Sequence, residues 1–166
     1  MYASSESLYL ESLSIGSSSH KRNSFEYCKT RSKTCSEERR RRVGLIIKET
    51  NRYGRGVFTT SNIKKGDLIE QSPVIEVPSS ERRFINRTVL SNYFFNWGVT
   101  NNEVAIALGY GSLFNHSYDP NAWFKNNLKA KTVDFYAYKD IQAGEEITVN
   151  YNGPPEDRTP VWFDVL

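Results

Sequence analysis

The segment GYGSLFNHS, residues 109–117, sets two polar side chains among small and aromatic residues. Asn115 and His116 each carry hydrogen-bond donors and acceptors, so together they could recognise a polar ligand with amino, carboxyl and hydroxyl groups. Taken alone, the segment is equally typical of a hydrogen-bonded structural turn. A metal is not expected at His116, because the one other histidine in the sequence is His20, far away in the chain.

A second segment, GEEITVNY at residues 144–151, is typical of a turn that leads into a strand. Ile147, Val149 and Tyr151 alternate and would share one strand face, which puts the Tyr151 phenol at the end of an inward-facing row. A buried phenol needs a hydrogen-bond partner, although a core tyrosine is the usual explanation. The adjacent Glu145 and Glu146 are more typical of a solvated turn than of an acid–base pair.

A third segment, YGRGVF at residues 53–58, places a G-x-G pattern between two strand-like stretches. Glycines leave the backbone uncovered here, so amide and carbonyl groups can touch a ligand directly. The segment lacks the G-x-G-x-x-G pattern and no helix follows, which argues against a dinucleotide-binding fold. A plain tight turn is the alternative.

In this order, G-x-G, then G-x-x-F-N-H-S, then G-E-E-I-T-x-x-Y, the three segments resemble the SET domain family of protein-lysine methyltransferases. The resemblance runs from about residue 43 to residue 151 and is similar to short, stand-alone SET proteins of viruses and bacteria. It implies a mainly β fold of the β-clip type, with several short sheets, one or two short helices, and a pseudoknot in which the last two segments thread together. It also implies S-adenosylmethionine as the methyl donor.

The resemblance further implies residue roles. Asn115 and His116 match the pair that holds the amino-acid end and adenine of the donor, Tyr151 matches the tyrosine beside the transferred methyl, and Tyr93 matches a tyrosine of the lysine channel. Phe124 or Val149 matches positions that influence how many methyl groups are added. The expected cofactor-binding residues are Gly54, Arg55, Gly56, Asn115, His116, Tyr151 and Trp162, the expected catalytic residues are Tyr151 and Tyr93, and the expected substrate-binding residues are Tyr93, Phe124 and Val149.

The implied chemistry needs a channel and no metal. Transfer is an in-line displacement by a neutral amine, so the protein must align donor and acceptor and exclude water. An apolar, aromatic channel disfavours the charged form of lysine by desolvation. After Tyr151 the sequence lacks the cysteine cluster that binds zinc in many family members, and Trp162 and Phe163 either fold back over the site or pack outside the sheet.

Strand-forming residues predominate from residue 43 onward. The predicted strands are Val43–Lys48, Gly56–Thr60, Asp67–Ile75, Glu103–Leu108, Ala122–Lys125, Thr132–Tyr138 and Glu146–Asn150. One helix is predicted after Pro78, capped by Ser79 or Ser80 and continuing towards Tyr93 at helical spacing. The repeated patterns NIKKGDLI (62–69) and DIQAGEEI (140–147) predict two similar β-hooks with positive φ at their glycines.

Residues 1–42 have a different character. They hold nine Lys/Arg against five Asp/Glu, and eight of the first twenty residues are serine, so we expect a disordered basic tail before a SET domain at 43–153 and a short C-terminal segment at 154–166. The arginine run 39–42 is either a solvated charge run or a nucleic-acid contact. No apolar stretch reaches the roughly 20 residues of a membrane span, and no secretory signal opens the sequence, so an intracellular location, nuclear or cytoplasmic, is expected.

These observations predict an S-adenosylmethionine-dependent protein-lysine methyltransferase acting on a histone or another basic protein. The alternatives are a non-catalytic β-clip module and a nucleic-acid binder that uses the arginine run. The sequence does not decide between a monomer and a homodimer.

Overall fold

Short strands rich in Val, Ile, Phe and Thr form most of the fold, which confirms the predicted mainly β class. The computed structural model describes residues 43–51 and 54–165. The strands in these ranges are β1 (Leu45–Thr50), β2 (Gly54–Thr59), β3 (Leu68–Val77), β4 (Phe94–Trp97), β5 (Glu103–Ala107), β6 (Asn115–His116), β7 (Ala122–Asn127), β8 (Thr132–Ala137) and β9 (Thr148–Val149). The helix α1 is Ser79–Ile85, and short 3-10 turns lie at Val89–Asn92 and Gly111–Leu113.

Three small sheets are formed by these strands. The largest is antiparallel with the strand order β4-β5-β3-β8-β7, and β1 pairs with β2 in a separate antiparallel hairpin. Phe135 on β8 is fully buried and packs against the rings of Phe95, Phe114 and Phe124. Phe114 immediately precedes the strand β6 (Asn115–His116), so this aromatic core adjoins the strand that carries two of the predicted site residues.

The two predicted hooks have the expected geometry and pair with each other. Gly66 and Gly144 have φ values of 90° and 92°, a region that favours glycine. Ile63 and Ile141 exchange backbone hydrogen bonds of 2.9 Å in both directions and are both buried. The internal repeat in the sequence thus corresponds to an approximate two-fold relation between residues 62–69 and 140–147.

Polar side chains repeat the same relation. The Lys65 amide donates to the Asp140 carboxylate at 2.9 Å, and the equivalent Ala143 amide donates to the Asn62 side chain, also at 2.9 Å. Within each hook, an acidic side chain, Asp67 or Glu145, accepts a backbone N–H three residues before it. Each hook is therefore closed by a residue of the other.

The predicted helix is shorter than expected and is capped differently. Pro78 is the N-cap, with no side-chain cap hydrogen bond, and the helix ends at Ile85 instead of continuing towards Tyr93. No residue of α1 is buried, so its packing gives no energy to extend it. Residues 94–97 were not predicted as a strand, because the residues before them show helical spacing. They form β4 because they pair with β5 at the edge of the sheet.

Other boundaries differ less. All seven predicted strands are present with ends shifted by at most two residues, and the predicted strand Glu146–Asn150 is reduced to the two residues Thr148–Val149. The described ranges contain no helix that is long and apolar enough to cross a bilayer. The predicted tail at 1–42, with its arginine run, lies outside the described residues.

Candidate active site

The parallel pairing of β6 with β9 brings the two polar sequence segments together. Asn115 lies opposite Thr148 and His116 opposite Val149, although more than 30 residues separate them in sequence. The Tyr151 amide donates to His116 Nδ1 at 3.1 Å, and the Tyr151 phenol donates to the Phe114 carbonyl at 2.9 Å. The segment at 115–116 and the phenol at 151 therefore form one junction, as the motif order predicts.

His116 is held in one tautomer within this junction. Its Nδ1 accepts the Tyr151 amide hydrogen, so the ring proton of the neutral form is on Nε2. The side chain is 4% exposed, and burial lowers the pKa of the imidazole below its usual value. Within the described part of the chain Nε2 has no hydrogen-bond partner. A buried donor left unsatisfied costs about 1–3 kcal/mol, so this atom fits a site that a polar ligand completes.

Asn115 connects all three motif segments. Its amide donates to Glu146 Oε1 at 2.7 Å and to the Arg55 carbonyl at 3.2 Å. The pattern of two adjacent glutamates favoured a solvated turn and did not indicate this contact of Glu146. The structure shows it half-buried, with its carboxylate holding the Asn115 side chain. The spacing of residues in the sequence could not reveal this contact, because the contact forms only where the second hook (residues 140–147) packs against β2.

The two glycines of the G-x-G pattern have different roles. At Gly54, φ is 74° and a Cβ would meet open space, so the backbone is uncovered as predicted. At Gly56 a Cβ would lie 2.2 Å from Glu146 Oε1 and 2.9 Å from Asn115 Nδ2. The missing side chain at Gly56 therefore makes room for the Asn115–Glu146 pair.

Two cavities adjoin this junction. One, of about 250 Å³, is lined by Arg55, Asn115, His116, Tyr151 and Phe163 among others. The second, of about 400 Å³, shares only Asn115 and His116 with the first and extends to Glu49, Phe58 and Glu146. We call the two together the polar cavities. Their shared residues are the same Asn–His pair that the sequence singled out.

A third cavity of about 530 Å³, the aromatic channel, also adjoins Tyr151. Phe95, Phe114 and Phe124 line it, and the Phe95 and Phe124 rings meet edge to face at 5.0 Å. Tyr93, Tyr151 and Trp162 line both this channel and the smaller polar cavity. The structure therefore gathers the predicted catalytic tyrosines at a wall that the two spaces share.

Val149 is not brought to the channel. It is 1% exposed, belongs to the hydrophobic core and lines none of the three cavities, whereas Phe124 does line the channel. Of the two residues that were expected to influence the lysine channel, only Phe124 therefore lines it. The β9 alternation explains this placement, because Ile147 and Val149 both face the core.

Comparison with known proteins identifies the family. The family model described as "SET domain" matches residues 54–152, which include the G-x-G pattern at 54–56 and the segments at 109–117 and 144–151. The chain belongs to the SET domain family. A histone-lysine N-methyltransferase of Schizosaccharomyces pombe, described as specific for H3 lysine-37, is 34% identical over 124 residues, which are 74% of this chain and 79% of that protein. The set1 histone-lysine N-methyltransferase of Dictyostelium discoideum is 30% identical over 132 residues.

Solved SET domain structures share the fold. A candidate histone methyltransferase of Plasmodium falciparum has a TM-score of 0.51 and 30% identity, covering 66% of this chain and 93% of that one. An autoinhibited ctPRC2 bound to S-adenosylmethionine has a TM-score of 0.55 at 24% identity and supports the fold alone. The chain spans most of the S. pombe relative but only 8% of the Dictyostelium protein, so the SET domain is what it shares with that larger relative.

In this SET domain the C-terminal segment reaches the junction. The Trp162 ring stacks on the Tyr151 ring at 6.0 Å, and the Phe163 ring meets His116 edge to face at 5.8 Å. The Tyr118 hydroxyl anchors the segment, because it donates to the Thr159 carbonyl and accepts the Val161 amide hydrogen. Trp162 remains 67% exposed, so it covers the wall from outside without being locked into the core.

Metal-ligating side chains do not cluster in the described part of this SET domain. Among residues 43–51 and 54–165, no group of three or more His, Cys, Asp or Glu is placed to hold a metal ion. Both cysteines and His20 lie outside those ranges.

Proposed function

We propose that this SET domain chain transfers a methyl group from S-adenosylmethionine to the side-chain amine of a lysine in a protein substrate, a histone or another basic protein. The observation that carries the proposal is the shared wall: Tyr93, Tyr151 and Trp162 line both a polar cavity and the aromatic channel. A ligand in each space would contact Tyr151, so the two ligands could meet there, as a direct transfer requires.

The polar cavities are the proposed donor site. Gly54, Arg55 and Gly56 supply the loop, and Asn115 and His116 supply side chains that are already oriented by Glu146 and by the Tyr151 amide. The unpartnered Nε2 of His116 and the open space at Gly54 fit a ligand with polar groups. S-adenosylmethionine supplies an electrophilic methyl carbon on a sulfonium centre when it is bound.

The aromatic channel is the proposed lysine site. Rings of Phe95, Phe114 and Phe124 give an apolar surface for the aliphatic stem, and Tyr93 stands at the shared wall. None of the described residues that line the channel carries a charge, so a protonated amine gains no partner there. Desolvation therefore lowers the pKa of an entering lysine and favours the neutral, nucleophilic amine. Phe124 is proposed to set how many methyl groups the channel admits.

Tyr151 is the proposed catalytic residue. Its backbone amide holds His116 and its phenol is fixed by the Phe114 carbonyl, so the ring position is set from two directions. This rigidity aligns the reacting groups without a covalent step. Tyr93, which is 36% exposed, completes the wall and is proposed to orient the amine.

The domain division follows from the same reasoning. Residues 43–153 form the proposed catalytic domain, and residues 154–166 hold Trp162 against it as a cofactor-side cover. A histone substrate would place the protein in the nucleus, and a ribosomal or other basic protein would also allow the cytoplasm. Nucleic acid, if bound, is proposed to contact only residues 1–42.

The test measures transfer and donor binding separately. The full chain is incubated with methyl-labelled S-adenosylmethionine and core histones or a whole-cell extract, and donor affinity is measured by calorimetry. Tyr151→Phe is expected to retain donor affinity within about threefold and to lose transfer by about 100-fold, the usual scale for one oriented polar group. The matched control is Tyr136→Phe, which removes the same hydroxyl from a ring that stacks on Trp123 and lines none of the cavities.

Two results would contradict the proposal. Wild-type chain that binds no donor would favour a non-catalytic β-clip module. Transfer that survives unchanged in Tyr151→Phe would remove this phenol from the reaction.

A further inference from the structure

The mouth of the aromatic channel is polar but uncharged. Five of the fourteen residues that line the channel are asparagines, and none of the fourteen is acidic or basic. These asparagines are Asn92, Asn96, Asn101, Asn126 and Asn152. The lining itself therefore offers neutral hydrogen bonds to a substrate backbone and no charge-based choice between flanking residues.

One charged side chain stands directly behind this rim. Arg82 of α1 donates to Asn96 Oδ1 at 2.8 Å and to the Asn101 carbonyl at 3.1 Å. Its guanidinium carbon also lies 5.3 Å from the Phe94 ring centroid. Asn96, Asn101 and Phe94 all line the channel, so Arg82 is fixed against the channel mouth by three of its wall residues.

Arg82 forms no ion pair within the described part of the chain. The three ion pairs found there join other residues, and the partners of Arg82 are neutral oxygens. Glu76 and Glu81, the acidic residues nearest along the chain, form no ion pair with it. Residues 79–93, which run from α1 to the channel wall, hold three arginines and one glutamate.

We propose that Arg82 selects substrates in which an aspartate or glutamate lies close to the target lysine, on the side that faces α1 and β4. This inference rests on the proposed lysine methyltransferase function. A guanidinium has five N–H donors, and the hydrogen bonds to Asn96 Oδ1 and to the Asn101 and Asn102 carbonyls occupy three of them, so donors remain for a substrate carboxylate. A lysine or arginine at the same substrate position meets like charge and is disfavoured.

The test compares peptides that differ by one charge. A peptide with one lysine carries glutamate or glutamine at each flanking position in turn, and the full chain is assayed for methyl transfer. At one or more positions on one side, glutamate is expected to lower KM about three- to fivefold relative to glutamine, the size of an exposed ion pair. Raising the ionic strength is expected to reduce this difference in KM between the glutamine and glutamate peptides.

Variants assign the effect to Arg82. In Arg82→Gln the KM for the glutamine peptide divided by the KM for the glutamate peptide is expected to fall to about one. Arg82→Lys, which keeps the charge but loses the planar guanidinium, is expected to retain part of the preference. The matched control is Arg83→Gln, because Arg83 is exposed on the same helix and lies over the Phe84 ring, not against the channel. This control is expected to keep the ratio within a factor of two. Circular dichroism checks that each variant is folded.

Anisotropy of the same labelled peptides, with the demethylated donor present, separates this inference from the proposed function. A glutamate preference in binding that Arg82→Gln abolishes supports the inference, even if no peptide is methylated. Equal binding of all glutamate and glutamine peptides by the wild-type chain, a preference for basic flanks, or a preference that Arg82→Gln leaves intact would each overturn it.

Discussion

Replacing Gly56 with alanine tests the contact that joins the three motif segments. The new Cβ would lie 2.2 Å from Glu146 Oε1 and 2.9 Å from Asn115 Nδ2. Both distances are well inside van der Waals contact, so the carboxylate has to move and Asn115 loses its 2.7 Å partner. The change thus acts on the donor side of the site without removing any polar group.

The expected magnitude combines two costs. Overpacking costs about 1–3 kcal/mol, and the loss of a hydrogen bond to a charged group costs about 1.5–3 kcal/mol. The end of the Glu146 side chain can swing and the pair is only part-buried, so we take the low end of both ranges. The free energy of unfolding is expected to fall by about 2–3 kcal/mol, which lowers Tm by about 10 °C for a domain of this size. Donor affinity is expected to fall about tenfold.

Thermal unfolding by circular dichroism and donor binding by calorimetry measure the two effects. The control is Gly144→Ala, where φ is 92° and nothing lies within 4 Å of the added carbon, so strain is expected without a change in donor affinity. The double variant Gly56→Ala with Glu146→Ala removes the clashing oxygen, and its effects should be less than additive. Wild-type Tm and affinity in Gly56→Ala, or fully additive effects, would refute this reasoning.

Three further predictions concern single contacts. Burial lowers the pKa of His116 in the folded chain, so as pH falls the unfolded chain binds this proton before the folded chain does. The free energy of unfolding is therefore unaffected by this titration above about pH 6.5 and decreases as pH falls below it. The urea midpoints at pH 7 and pH 5 should differ more in the wild type than in His116→Gln. Trp162→Ala should weaken donor binding about three- to tenfold, because it removes the ring that stacks on Tyr151. Trp123→Phe, which changes a ring that stacks on Tyr136 instead, should leave donor binding unchanged. Titration calorimetry would measure both. The hydrogen bond from Lys64 lowers the pKa of Asp140, so Asp140→Asn should be less stable than the wild type at pH 7. This difference should disappear below about pH 4, where the wild-type carboxylate becomes protonated. Unfolding midpoints measured across that pH range would show it.

The motif segments predicted the centre of the site because each is a short, local pattern. Asn115, His116 and Tyr151 could be expected together once the order of segments was recognised, and the repeated hooks fixed Gly66 and Gly144 at positive φ. Both predictions depend on residues that differ from their neighbours in backbone freedom or polarity.

Contacts that depend on tertiary approach could not be predicted. The role of Glu146 appears only when the second hook meets β2, and adjacent glutamates at a turn are ordinarily solvated. The strand β4 was missed because Tyr93 shares helical spacing with Phe84, whereas the pairing with β5 decides its conformation. Val149 shares a face with Ile147, and that face turns out to be the core rather than the channel.

The mutual closure of the two hooks has a consequence for biosynthesis. The first hook, complete in sequence by residue 69, cannot form its bonds to Ala137 and Asp140 until some seventy further residues have left the ribosome. Pairing over such separations is slow, because a long loop must be ordered before any contact rewards it. The first hook of the nascent chain therefore stays open until residues 137–140 emerge, and the contacts of Glu146 with Asn115 can form only after that point.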